Sequence, residues 1–106
     1  MSYLNMLGLA QAAGAVVAGE GAVEAALRKS RVRLLLLASD ASSNTTKRFR
    51  NLARRFQVPL LVIPASKDEL GKCIGKGMRA VVGLTRHEFA RLIEQGVQHE
   101  ERAKTL

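Results

Sequence analysis

The stretch Arg33-Leu34-Leu35-Leu36-Leu37-Ala38-Ser39-Asp40 decides the fold. Five successive apolar residues are short for a helix, and a serine–aspartate pair stops them. Such a run fits a strand buried on both faces, where no polar alternation is needed. A strand covered twice needs helices on both sides of its sheet, and the chain offers them in both directions.

Downstream, a helix is expected from Ser43 or Asn44. Phe49, Leu52, Ala53 and Phe56 fall at i, i+3, i+4 and i+7, one stripe facing a core. Lys47, Arg48, Arg50, Arg54 and Arg55 take the rest of that surface. Val58 to Ile63 reads as a strand, entered through Pro59, which suits a strand start, and closed by Pro64. Ser66-Lys67-Asp68-Glu69 has the form of a capping box. The helix it opens turns Leu70, Cys73 and Ile74 inward, until Gly75-Lys76-Gly77 breaks it. Arg79 to Leu84 reads as the next strand. Thr85-Arg86-His87-Glu88 is a second capping box, and Phe89, Leu92, Ile93 and Val97 continue the stripe of a last helix. From about residue 99 the chain reads as a polar tail that frays.

Upstream, Tyr3 to Ala13 reads as a helix rich in small residues, ending near Gly14. Ala15 to Ala18 is a short, partly β-branched strand and Gly19-Glu20-Gly21 a turn. Ala22 to Lys29 is helical, with Val23, Ala26 and Leu27 on one side. The order is α-β-α-β-α-β-α-β-α. The expected fold is α/β, a three-layer α/β/α sandwich over a central four-stranded sheet. Short turns allow an antiparallel strand, so the sheet is expected to be mixed; its strand order is not set by the sequence.

The 106 residues make a single domain, 1–106, without repeat, linker or low-complexity tract. No apolar run approaches the roughly 20 residues of a membrane span. Met1 to Ala18 lacks the charged front end of a secretion signal, so the cytoplasm is the expected compartment. A lone Cys73 excludes an internal disulfide and a cysteine metal cluster.

Seventeen Lys and Arg stand against nine Asp and Glu, a net charge of +8 and a pI near 10.6. The excess is local. Arg28 to Arg86 holds fourteen basic residues and three acidic ones (Asp40, Asp68, Glu69), a local net of +11. A single-sign block of this kind attracts anions and points to nucleic acid. Of the four aromatic residues, Phe49, Phe56 and Phe89 sit at apolar helix positions, so base stacking is disfavoured and phosphate and shape contacts are favoured.

Catalysis fails on inventory. His87 lies in the first turn of a capped helix and His99 in the tail, neither beside a nucleophile. Cys73 shares a stripe with Leu70 and Ile74 and reads as a small hydrophobe. Two histidines and one cysteine at unrelated positions make no ligand set. Gly19 and Gly21 before a helix could accept a phosphate on backbone N–H groups, yet no Gly-Lys-Ser/Thr follows, and a dinucleotide fingerprint needs a third glycine. No cofactor and no metal are expected. Two further segments, Ser39-Asp40-Ala41-Ser42 and Gly75-Lys76-Gly77-Met78-Arg79, could converge with the first into a basic, backbone-rich site.

Leu7-Gly8-Leu9-Ala10-Gln11-Ala12-Ala13-Gly14, Val17-Ala18-Gly19-Glu20, Leu37-Ala38-Ser39-Asp40-Ala41-Ser42-Ser43-Asn44-Thr45, Val58-Pro59 and Glu69-Leu70-Gly71-Lys72-Cys73-Ile74-Gly75-Lys76 follow in this order. With them the chain resembles the kink-turn RNA-binding ribosomal protein superfamily (large-subunit proteins seven-Ae and thirty-e), in particular its small bacterial members of the YlxQ type. The resemblance implies an α/β/α sandwich that binds RNA in ribosome-linked roles. In the family, an Asn-Glu pair at the start of the second helix meets sheared G·A pairs and a Lys one turn later meets RNA. An apolar loop before the last strand packs on a flipped-out nucleotide. Gly21 and Ala22 match the pair, Ala25 matches the Lys, and residues Ile74 to Arg79 match the loop. The three polar groups are absent here, and Glu20 offers one acceptor.

The candidate RNA contacts are therefore Gly19, Glu20, Gly21 and Ala22; Ser39, Asp40 and Lys47; and Ile74, Gly75, Lys76, Gly77, Met78 and Arg79. The expected function is non-enzymatic binding of structured, kink-turn-like or ribosomal RNA through phosphate and shape. The ribosome or its associated proteins are further expected partners; a membrane and a small-molecule cofactor are not. The rival readings are a protein-interaction module that kept the fold and lost RNA recognition, and an enzyme acting on RNA.

Overall fold

A computed structural model describes residues 2–105, with side chains through residue 100. Nine elements alternate along the chain: α1 (Tyr3–Ala12), β1 (Val16–Ala18), α2 (Glu20–Arg28), β2 (Leu34–Leu37), α3 (Ser43–Phe56), β3 (Leu60–Val62), α4 (Lys67–Cys73), β4 (Val81–Leu84) and α5 (His87–Thr105). The four strands form one sheet in the order β1-β4-β2-β3. β4 runs antiparallel to both β1 and β2, while β2 and β3 are parallel. The sheet is mixed, as expected.

The leucine run explains the layers. Strand side chains alternate between faces. Leu34 and Leu36 enter one core with Leu7, Leu70, Val82 and Ile93, from α1, α4, β4 and α5. Leu35 and Leu37 enter a second core with Val23, Leu27, Phe49 and Ala53, from α2 and α3. All four leucines are buried. The three layers are therefore α1/α4/α5, the sheet, and α2/α3.

Local chemistry sets the ends of the helices. Ser2 caps α1 by accepting from the Asn5 N–H, and Ser42 caps α3 by accepting from the Thr45 N–H. Ser66 and Glu69 close the reciprocal capping box of α4. Gln57, at φ 55°, turns the chain out of α3.

The structure differs from expectation at four places. Residues 20 and 21 are not a turn: α2 begins at Glu20, because Gly19 at φ +94° and ψ 153° makes the reversal alone. Thr85 opens no capping box. Its N–H donates to the Ala15 carbonyl, the Glu88 carboxylate takes Arg86, and α5 begins at His87. α5 continues past residue 99 to Thr105, so the polar segment is helical. The strands are also trimmed: Ala15, Val58, Pro59, Ile63, Arg79 and Ala80 lie outside them.

Candidate functional site

The topology gathers one edge of the molecule. β1, β2 and β3 end there and β4 begins there, so α2, α3 and α4 all start from the same side. Backbone bonds tie the loops together. The Gly19 N–H donates to Val81 O at 3.0 Å, Ala38 N–H to Ala80 O at 2.9 Å, and Ser39 N–H to Ala65 O at 2.8 Å. The Arg79 N–H donates to Lys67 O at 3.1 Å, and the Lys67 N–H to Asp40 Oδ1 at 2.8 Å. The three segments expected to converge do so. A fourth, residues 64–67, joins them without having been singled out in the sequence.

The loop at 75–79 is shaped by two glycines. At Gly71, in α4, a Cβ would lie 2.0 Å from the Gly77 carbonyl oxygen. Only a glycine lets the loop fold back onto its helix, where the Lys76 N–H reaches Gly71 O at 2.9 Å. The Arg79 guanidinium then donates to the Gly77 and Met78 carbonyls at 3.1 and 3.0 Å. Its stem lies 3.7 Å from where a Cβ on Gly19 would be. This packing joins the α4–β4 loop to the start of α2.

Among the candidate residues, two groups separate. Asp40, Ser39 and Glu20 already hold partners. Asp40 takes the Lys67 amide, and the Ser39 hydroxyl donates to Ala65 O at 3.2 Å. Glu20 takes Arg48 at 3.2 Å, and Arg48 also pairs with Glu24, which pairs in turn with Arg28. The bond from Arg28, with help from Arg48, holds the Glu24 carboxyl below the usual glutamate range. Lys47 and Lys76, by contrast, are exposed and have no ion-pair partner among the described residues. Gly21, Ala22 and Ala25 are exposed along α2, and nothing lies within 4 Å of a Cβ at Gly21.

Ile74 is a correction. It is 5% exposed and belongs to the α1/α4/α5 core, so it presents no apolar face outward. The exposed apolar residue of the loop is Met78, at 59%. Lys67 was missed. Its amide and carbonyl bind two of the converging loops, and no local sequence signal marks a residue whose role is to join segments far apart.

Cys73 is half-buried and lines a shallow groove of about 350 Å³ with Leu4, Asn5, Gly8 and Leu9. Its thiol donates to Leu70 O, and burial pushes its pKa up, which opposes a reactive thiolate. His87 stands where α5 leaves β4, at the opposite edge of the sheet. No three His, Cys, Asp or Glu are grouped to hold a metal among the described residues. Among the described residues no helix is long and apolar enough to cross a membrane. The backbone N–H groups that tie the loops are spent on internal acceptors, so the charge this edge presents outward is that of the exposed Lys47 and Lys76 side chains. The edge carries no side chain at positions 21, 22 and 25 that could read a base edge.

Residues 1–94 match the family described as Ribosomal protein L7Ae/L30e/S12e/Gadd45. The chain is 41% identical over 90 residues to RNA-binding protein YlxQ of Bacillus subtilis (strain 168), covering 85% of this chain and 89% of that one. It is 30% identical over 95 residues to RNA-binding protein YlxQ of Enterococcus faecium, covering 90% of each. A solved Bacillus halodurans protein of unknown function has the same fold at TM-score 0.85 and 32% identity, over 91% of this chain and 96% of that one. The 15.5kD RNA binding protein of Giardia lamblia shares the fold at TM-score 0.72 and 18% identity, over 91% and 84%.

Proposed function

The chain belongs to the ribosomal protein L7Ae/L30e/S12e/Gadd45 family, and on that footing we propose that it is a non-enzymatic RNA-binding protein of the cytoplasm. Its ligand is structured RNA, kink-turn-like or ribosomal, held through phosphate and shape; the ribosome or its associated proteins are the setting. The observation that carries the reading is the gathered edge: loops at Gly19, 39–42, 64–67 and 75–79 tied by backbone bonds, with Lys47 and Lys76 free of carboxylates among the described residues. Two relatives are themselves named RNA-binding proteins. Phosphate contacts give affinity and register, whereas base contacts give specificity. Gly21, Ala22 and Ala25 offer no polar side chain, so this chain reads bases less than it grips backbone.

The test compares affinity for a kink-turn RNA with that for a straight duplex of the same composition. The unmodified protein binds both, with a ratio well under a hundredfold, or about 2.7 kcal/mol. The variant Gly21→Asn/Ala22→Glu/Ala25→Lys raises the ratio, since one recovered base-edge contact is worth roughly 1–3 kcal/mol in the DNA case. A hundredfold kink-turn preference in the unmodified protein would refute the phosphate-and-shape reading. Absence of RNA binding would favour the protein-interaction module.

A further inference from the structure

Resting on the RNA-binding reading, we infer that the outer face of α3 is a second RNA surface, taking the phosphate backbone of a duplex that flanks the segment held at the loop edge. α3 carries five basic residues, Lys47, Arg48, Arg50, Arg54 and Arg55, and no acidic one. Lys47, Arg50 and Arg54 fall at i, i+3 and i+7, one stripe about 10 Å long, away from the buried Phe49 and Ala53. Arg55 flanks it, its guanidinium 5.4 Å from the centre of the Phe56 ring.

The fold does not account for this charge. α2 and α3 together hold two acids, Glu20 and Glu24, and Arg48 engages both. Arg50, Arg54 and Arg55 have no ion-pair partner among the described residues. Cations in the last turn of a helix gain from its dipole, which rationalises Arg54 and Arg55. Lys47 and Arg50 lie earlier, and like charges three and four residues apart repel. The other helical layer carries no such excess: α4 has two basic and two acidic residues, and α5 carries Glu88, Glu94 and Glu100 against Arg91 over residues 87–100, a slight acidic surplus. One face of the sandwich is thus loaded with positive charge that a polyanion would relieve.

The placement sets the geometry. α3 starts at the gathered edge, at its Ser42 cap, and runs 14 residues, about 21 Å, away from it. Arg54 lies about 18 Å along that axis. An RNA confined to the loops cannot touch it, whereas a duplex continuing down α3 can.

The experiment uses two RNAs, a short structured RNA that fills the loop edge and the same RNA with either arm extended by about one duplex turn. The unmodified protein binds one extended RNA at least tenfold more tightly at low salt, with a steeper salt dependence. The variant Arg50→Gln/Arg54→Gln/Arg55→Gln binds the short RNA as the unmodified protein does and loses the gain from extension. Its log–log salt slope on the extended RNA is shallower by about three. Should the triple variant fold poorly, Arg50→Gln and Arg54→Gln singly each reduce the slope by about one. If extension brings no gain, or the same gain in the variants, the inference is overturned while the loop-edge reading stands. An acidic polypeptide that binds this face while extended RNA does not also overturns it. If the unmodified protein binds neither RNA, both readings fall.

Discussion

The Lys67 amide donates to Asp40 Oδ1 at 2.8 Å, joining the loop after β2 to the first turn of α4 across 27 residues of chain. Asp40 thus acts as a cap for a helix that is distant in sequence. Its carboxylate braces the gathered loops.

Replacing Asp40 by Ala leaves the Lys67 N–H without this acceptor. Loss of a capping side chain costs about 0.5–2 kcal/mol. Urea unfolding of Asp40→Ala should show a loss near 1 kcal/mol, and Asp40→Asn a smaller one. A loss within error would mean that the bond contributes nothing to the fold.

Gly71→Ala is expected to be the more damaging of two glycine substitutions. Its Cβ would overlap the Gly77 carbonyl at 2.0 Å, so the loop must move; overpacking of this kind costs typically 1–3 kcal/mol. Gly75→Ala meets no atom within 4 Å and bears only the strain of φ +72°, about 1 kcal/mol. Thermal unfolding should order them so, and Gly71→Ala alone should weaken RNA binding strongly. A wild-type-like Gly71→Ala would contradict the packing described.

Glu24 supplies a pH prediction. Its carboxyl titrates below the ordinary glutamate range because Arg28, then Arg48, bonds its charged form. A carboxylate depressed by folding adds stability above its unfolded pKa and loses it as pH falls through the folded value. NMR titration should find the Glu24 midpoint low, moving up in Arg28→Gln, with a weaker fall of stability on the acid side. An unmoved midpoint would sink the assignment.

Lys76 and Arg79 should behave differently, although both were singled out as contacts. Lys76 is exposed and has no ion-pair partner among the described residues, so Lys76→Ala should stay within about 0.5 kcal/mol of the parent stability while weakening RNA binding. Arg79 holds two loop carbonyls and packs beside Gly19, so Arg79→Ala should reduce both stability and affinity. Equal behaviour in unfolding would argue against the bracing role.

What was legible in the sequence was local or periodic. Four leucines between two cores could be read because a strand covered on both faces shows no polar position. Ser66 and Glu69 could be read because a capping box lies within one turn. What escaped depends on chain folding back on itself. Strand order β1-β4-β2-β3 leaves no mark in a single sequence. The pairing of Glu20 with Arg48 spans 28 residues, and the contact of Gly71 with Gly77 needs the loop's path. Ile74 carried two readings, inward on its helix stripe and outward in the binding loop; its burial in the first core decided for the inward one.

The most direct test of the account is the salt dependence of the unmodified protein's affinity for structured RNA. Each neutralised phosphate contributes roughly −0.7 to −0.9 to the slope of log affinity against log salt. The account predicts a steep line, several phosphates' worth, from low to physiological salt. An affinity that stays flat over that range would contradict binding led by the phosphate backbone.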